Sequence, residues 1–269
     1  MSDANVPPVF YSATADISLR IGGHQLKTKV TVPTGDVRLK TLLPVMQQLS
    51  STIVQIGEQN VENAGQKISC QKGCGACCRQ LVPIAPVETH GIRDLVESMP
   101  EPRKTEIRRR FAEAKERLAT SGMWQKLEER ASWPHEDVLN VGLDYFRLGI
   151  ACPFLEDESC SIHLDRPMAC REYLVTSPAA NCANPTPEGV EWVPIPAKVW
   201  TEVARMEEGE KPGTYVPWVP LTQALDYAAT HEEGPARPGT EWVREVFSRL
   251  ARTNKVPAAN IHPSLAVEG

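Results

Sequence analysis

The chain has 269 residues, of which 23% are charged and 41% hydrophobic, and its formal net charge is −5. This length can bury a hydrophobic core, and no apolar run reaches the ~18 residues that a membrane span requires. The acidic balance argues against a protein that binds nucleic acid through bulk charge. The first residues form neither the basic nor the apolar segment of a secretory signal, which predicts a cytoplasmic protein.

The first 65 residues are predicted to form a β-hairpin and a long helix. Apolar and polar residues alternate on both sides of Gly22-Gly23, which predicts a hairpin over residues 9–33. From about Thr41 apolar residues recur every three or four positions, and Pro44 is tolerable only in the first turn of a helix. This stripe is too short for a dimerising coiled coil, so we expect it to pack within its own domain. It consists of Leu42, Met46, Leu49, Ile53 and Ile56.

Three further helices are predicted between the two cysteine-rich segments, over about 87–99, 102–120 and 135–148, separated by prolines. The second of them carries three consecutive arginines, residues 108–110, among glutamates. This mixture is typical of a solvated helix face with ion pairs one turn apart. The third helix is expected to carry an apolar face toward the second cysteine group. That face consists of Leu139, Leu143 and Phe146.

The chain beyond Cys182 is rich in proline and tryptophan, and two helices are predicted near its end, over about 221–230 and 239–252. We expect the tryptophans to cover the core or a metal site from solvent. The three that precede the first of these helices are Trp192, Trp200 and Trp218.

Eight cysteines fall into two groups of four. This number is too small for a disulfide scaffold, and in a reducing compartment closely spaced cysteines more often bind metal or perform redox chemistry. All eight are candidate metal ligands, and we predict that at least four bind metal. The first group is Cys70, Cys74, Cys77 and Cys78, and the second is Cys152, Cys160, Cys170 and Cys182.

The spacing in the first group is typical of a metal knuckle. Cys74 and Cys77 are separated by two residues, which lets both thiolates reach one ion, and Gly73 and Gly75 permit the tight turns. Thiolates favour zinc, iron or copper(I) over magnesium or calcium. The side chains of Cys77 and Cys78 should diverge, so that one of them binds a second metal, a different iron of a cluster, or nothing.

The second group is spaced more widely and carries other polar residues. His163 follows Cys160 by three residues, a spacing compatible with zinc, but four cysteines are already available and we interpret it as a polar residue beside the site. Three arginines are neighbours of cysteines in the sequence. They could offset the charge of metal-bound thiolates, donate hydrogen bonds to sulfur, or form ordinary surface salt bridges. These arginines are Arg79, Arg166 and Arg171.

Four short motifs resemble the YkgJ-type cysteine-cluster family, which has a CxxCxxCC signature. The resemblance spans residues 66–183 and implies a domain that chelates zinc or iron. The family also includes flagellin lysine N-methylases. One departure is that three residues, not two, separate Cys70 from Cys74. The motifs are Cys74-Gly-Ala-Cys77-Cys78-Arg, Cys152-Pro-Phe-Leu, Cys160-x-Ile-His and Arg166-Pro-x-x-Cys170-Arg171.

These observations favour a cytoplasmic metal-binding protein that chelates zinc or iron, with an iron–sulfur cluster left open. The alternative is an enzyme similar to a protein-lysine N-methyltransferase, but no glycine-rich strand–loop–helix suited to S-adenosylmethionine is present. Thiol–disulfide chemistry is a third hypothesis, and it is disfavoured because a disulfide between Cys77 and Cys78 would be strained. The expected partner is a metal ion. A protein partner or substrate stays open, and neither a membrane nor nucleic acid is expected.

The predicted fold class is α+β and mainly helical. Residues 1–65 should form the hairpin and helix, and residues 66–183 an irregular, metal-centred cysteine-cluster domain. Residues 184–269 should form a Trp/Pro-rich extension packed on the same core. The 23 prolines suit the turn-rich chain that widely spaced ligands require.

Overall fold

A computed structural model describes residues 11–134, 136–186, 188–206 and 215–253. Over these residues the chain forms ten helices and four small two-stranded antiparallel sheets. The prediction of a mainly helical α+β fold is therefore confirmed. No helix in the described ranges combines the length and apolar character needed to cross a membrane.

The N-terminal hairpin forms as predicted. Strand β1 (Ser12–Ile21) pairs with β2 (His24–Pro33) in antiparallel register, with Ile21 opposite His24. Gly22 and Gly23 have φ angles of 54° and 84°, which is the left-handed region that a two-residue hairpin turn requires. The first two residues of the predicted hairpin lie outside the described ranges.

The long helix α1 (Leu43–Asn63) starts two residues later than predicted, with Pro44 in its first turn. A 3-10 turn, Leu39–Leu42, precedes it. The predicted stripe is confirmed, with Ile56 half-buried and the other four residues buried. The stripe packs the helix against the hairpin and against two helices that follow the cysteines.

The three predicted middle helices are present as α2 (Pro86–Ser98), α3 (Arg103–Thr120) and α5 (Asp137–Arg147). A short helix, α4 (Met123–Glu128), lies between the last two. Residue 135, where the third helix was predicted to begin, is outside the described ranges. The arginines of α3 do form ion pairs along its surface, including Arg110 with Glu106 at 2.8 Å.

The cysteine-rich segment consists of loops and very short elements. Strand β4 (Pro83–Ile84) follows the first cysteine group, and the second group lies on the hairpin β5 (Leu155–Glu156) and β6 (Ser159–Cys160) and on two one-turn helices. These helices are α6 (Met168–Glu172) and α7 (Ala179–Ala183).

The C-terminal segment contains one helix that the sequence analysis missed. Helix α8 (Val199–Met206) follows the proline-rich stretch and is almost wholly buried. It spans only eight residues, including Thr201, Glu202 and Arg205, which is too short a segment for a helical repeat to be recognised. The two helices that were predicted are α9 (Ala224–Thr230) and α10 (Gly239–Thr253).

Two pairs of short strands join segments that are distant in the sequence. Strand β7 (Val219–Pro220) pairs with β4, and β8 (Arg237–Pro238) pairs with β3 (Asp36–Val37). They hold the C-terminal segment against the hairpin unit and against the cysteine-rich segment.

The main core combines the hairpin, α1, α8 and α10. Trp200, Trp218 and Trp242 are buried in it, as expected for tryptophans that cover a core. A second core lies between α2, α3 and the β5–β6 hairpin, where the rings of Phe111 and Phe154 meet edge to face at 5.6 Å. Cys152 and Cys160 of the second cysteine group pack against this second core.

Candidate metal centre

The first cysteine group lies on two consecutive tight turns. The amide of Cys74 donates to the carbonyl of Gln71 at 3.1 Å, and the amide of Cys78 donates to that of Gly75 at 3.0 Å. Gly73 has a φ angle of 87°. A 3-10 turn, Ala76–Arg79, then presents the two adjacent cysteines. The prediction of glycine-assisted turns around the knuckle is confirmed.

The β5–β6 hairpin packs directly on these turns. A Cβ atom on Gly75 would lie only 2.8 Å from Leu155 Cδ1, so the close approach requires glycine. Arg79 reinforces the contact with a bidentate pair to Glu158, at 2.8 and 2.6 Å, and a hydrogen bond to the Gly75 carbonyl at 3.1 Å. The amide of Cys152 donates to the carbonyl of Cys78 at 2.7 Å, so the two cysteine groups are in direct contact.

Five cysteines, three of them from the second group, line one cavity of about 80 Å³. Most of its remaining wall is apolar, and the polar side chains in the lining are Gln80, Arg166 and Tyr173. Groups that are separated by more than 70 residues in the sequence therefore converge on one space. We call these five the cavity cysteines: Cys77, Cys78, Cys152, Cys160 and Cys170.

The other three, the outer cysteines, are not part of the cavity lining. Cys182 on α7 is buried and packs in a small apolar cluster with Cys70. Burial raises the pKa of the Cys182 thiol to about 11, and the nearby thiols of Cys70, Cys77 and Cys74 contribute to the increase. The outer cysteines are Cys70, Cys74 and Cys182.

All eight cysteines are free thiols. The pKa is raised for six of them, Cys70, Cys77, Cys152, Cys160, Cys170 and Cys182. Burial raises the pKa of Cys152 to about 12, and it raises the pKa of Cys170 well above its usual value. Two effects raise the pKa of Cys77: the larger is a hydrogen bond with the Cys78 thiol, and the second is burial. A metal ion that binds these groups must therefore displace protons, so its affinity depends on pH.

Within the ranges that the structure describes, no three His, Cys, Asp or Glu side chains are arranged to hold a metal ion. The chemistry of the donors fits a thiophilic ion, because thiols of both sequence groups converge on the cavity.

The residues flanking the cysteines differ in their environment. His163 is exposed and is not part of the cavity lining, and the charge of Arg166 lowers its pKa. Arg171 donates to the carbonyls of Arg166 and Leu164 and to Ser51 Oγ, at 3.1 Å for the last. Its interactions are thus with the loop and with α1.

The sequence analysis missed a carboxylate that supports the site. Glu88 on α2 is buried, and it accepts hydrogen bonds from the backbone amides of Ala85 at 2.9 Å and Met168 at 2.8 Å. It thereby caps the N-termini of both α2 and α6, the helix that carries Cys170. A glutamate at the third position of a helix after Ala-Pro could have suggested the first cap, but not the second.

Comparison with known proteins agrees with this description. Residues 69–188 match the family model CxxCxxCC, described as a putative zinc- or iron-chelating domain, which covers a little under half of the chain. Neither a curated protein nor a solved structure gave a significant match. The matched region includes all eight cysteines. The cysteine-rich segment of this chain, residues 69–188, is therefore similar to the CxxCxxCC family.

Proposed function

We propose that this protein chelates zinc or iron through its eight cysteines, which act as two neighbouring four-thiolate sites. The observation that carries the proposal is the convergence of both cysteine groups, with five thiols on one cavity. The proposal places the protein in the reducing cytoplasm, where thiols stay free to bind metal. It also takes residues 66–183 as the metal-binding unit, with the segments on either side packed on a shared core.

The first proposed site consists of four cavity cysteines. The hydrogen bond from the Cys152 amide to the Cys78 carbonyl holds those two residues together. Burial raises the pKa of Cys170, and the charges of the Cys152, Cys77 and Cys160 thiols contribute to the increase, as expected for neighbouring sulfurs. The site would be Cys78, Cys152, Cys160 and Cys170.

The second proposed site consists of the outer cysteines and Cys77. The pKa of Cys182 responds to the other three thiols. Cys77 lines the cavity as well, and its thiol is hydrogen-bonded to that of Cys78, so the expectation that these two side chains diverge is wrong. The two-residue spacing from Cys74 to Cys77 assigns Cys77 to this site, which would be Cys70, Cys74, Cys77 and Cys182.

This division of the eight cysteines is compatible with either zinc or iron. Eight thiolates fill two tetrahedral zinc sites completely, whereas one iron–sulfur cluster would use four cysteines and leave four free. Bound zinc would cross-link the loops, and a cluster would add one-electron chemistry. In either case the chain supplies the thiolates, the apolar wall that limits water, and the carboxylate of Glu88 that fixes the start of α6.

The deciding experiment is anaerobic purification followed by elemental analysis and an absorption spectrum. A colourless protein with two zinc ions per chain supports two zinc sites, and a brown protein with iron and sulfide supports a cluster. Protein that is freshly purified without either metal, and that does not take one up, would refute the proposal. The Cys78→Ser and Cys182→Ser variants should each lose one zinc ion, because each removes a ligand from a different site.

Removal of the metal distinguishes a structural role from a chemical one. If the ions hold the loops together, a chelator should abolish cooperative unfolding, since metal-binding free energy is then folding free energy. If they serve chemistry, helical circular dichroism should survive chelation while an activity is lost.

A further inference from the structure

We propose that Arg166 is the positioning residue that compensates the negative charge of the metal-bound thiolates and donates hydrogen bonds to their sulfurs. The inference rests on the proposed metal binding and assigns to one arginine a role that the sequence left open among three. A divalent ion held by four thiolates keeps a net negative charge, and two such sites lie side by side in the proposal. The cavity therefore needs a nearby cation.

The other two arginines, Arg79 and Arg171, already have hydrogen-bond partners elsewhere, so we do not assign this role to them. Arg79 is already paired in bidentate fashion with the carboxylate of Glu158. The guanidinium of Arg171 is used in three hydrogen bonds to the loop and to α1. The guanidinium groups of both arginines thus hydrogen-bond to oxygen acceptors.

Arg166 has the required position and a free donor. It is the one cationic side chain among the described residues that line the cavity. Its Nε is buried, and no hydrogen-bond partner for it is found in the described ranges. Because a buried guanidinium nitrogen without an acceptor is costly, its place in a native fold needs an explanation.

The sulfur atoms of the cysteines are the acceptors that we propose for Arg166 Nε. A neutral thiol is a weak acceptor, which is consistent with the free Nε of the metal-free chain. An ionised, metal-bound sulfur would be a charged acceptor, and charge-assisted hydrogen bonds are the stronger ones. Arg166 lines the cavity together with Cys77, which we assign to the second site, and with Cys160 of the first, so it lies beside residues of both proposed sites.

The test compares four full-length proteins, the wild type and the variants Arg166→Gln, Arg166→Lys and Arg79→Gln, in anaerobic titrations with Co²⁺ and Zn²⁺. The thiolate-to-cobalt absorption band and competition with a chelator give the affinities. Loss of an outer hydrogen-bond partner typically weakens metal binding about 10–100-fold, so we expect a loss in this range for Arg166→Gln. Lysine at 166 should restore most of the affinity because it keeps the charge.

Arg79→Gln is the matched control, since it removes the same charge beside Cys78 but from a group that Glu158 neutralises. It should bind like the wild type. Equal affinities for the wild type and Arg166→Gln, or equal losses in both glutamine variants, would overturn the inference. If Arg166→Gln does not fold, Arg166→Lys decides, and a loss of affinity with lysine counts against a charge role.

Failure of the inference is distinguishable from failure of the proposed function. If the wild type binds neither ion and no cluster, metal binding itself is wrong. If the wild type binds and Arg166→Gln binds equally well, only the role of Arg166 is wrong. For a protein purified with an iron–sulfur cluster, the same variants are compared by reduction potential, which Arg166→Gln should lower because it removes a positive charge.

Discussion

Replacement of Glu88 by alanine should destabilise the fold through two helix ends at once. The carboxylate is 2% exposed and accepts from the amides of Ala85 and Met168, which are themselves buried. Alanine leaves both donors without a partner, at about 1–3 kcal/mol each, so the expected loss is roughly 2–6 kcal/mol. The measurement is urea unfolding followed by circular dichroism.

The loss should also depend on pH, because burial raises the pKa of Glu88 to about 7 from an ordinary 4.5. As the pH rises, the Glu88 carboxyl ionises in the unfolded chain before it ionises in the folded chain. Its contribution to the free energy of unfolding is therefore complete below pH 4.5. It declines by up to about 3 kcal/mol as the pH rises through 7. The wild type should therefore exceed Glu88→Ala in stability by more at pH 5.5 than at pH 8.5.

Glu97→Ala is the control on the same helix, because Glu97 is exposed and pairs with Arg108 at the surface. Exposed ion pairs contribute little, so this variant should unfold close to the wild type at both pH values. If Glu88→Ala and Glu97→Ala unfold at the same urea concentration, the double-cap argument is wrong.

Three further outcomes are expected. Cys170→Ser should lose one of two zinc ions in elemental analysis, and retention of both would remove Cys170 from the ligand set. In metal-free protein at pH 8.5, iodoacetamide should label Cys152 more slowly than a free thiol, since burial raises its pKa to about 12; mass spectrometry measures the rates, and faster labelling would contradict the buried geometry. Gly57→Ala should lower the free energy of unfolding, measured in urea, by about 1–3 kcal/mol, although alanine favours helices. The reason is that its Cβ would lie 2.9 Å from the Pro194 carbonyl oxygen, and a more stable variant would show that this contact relaxes freely.

The elements that could be predicted are those with local signals. The hairpin is predicted by Gly22-Gly23 between two segments of alternating residues, and α1 is predicted by Pro44 near the start of an apolar stripe. Each signal lies within a few residues of the element that it predicts. Helix α8 carries no such signal, because its eight residues are too few for a helical repeat to be recognised. The pairings of β3 with β8 and of β4 with β7 join residues far apart in the chain, where no short pattern applies.

The candidate site shows the same division. The cysteines could be recognised as candidate metal ligands from their spacing and from the family motifs. Their arrangement does not, because the contact of Cys152 with Cys78 and the position of Cys77 between two sets of thiols arise from tertiary packing. Likewise, the sequence could not distinguish the three arginines, because each is a neighbour of a cysteine. Only their hydrogen-bond partners in the folded chain distinguish Arg166 from the other two.

The pairing of β3 with β8 has a consequence for biosynthesis. Val37 lies opposite Arg237, and Trp242 on the following helix donates to the Val37 carbonyl at 2.9 Å. A ribosome that adds about 5–20 residues per second needs roughly 10–40 s between these two points of the chain. During that interval all eight thiols emerge while the hairpin unit still lacks its last partner. The nascent protein therefore exposes its cysteines before its core can close, and prompt metal capture or a chaperone would protect it at that stage.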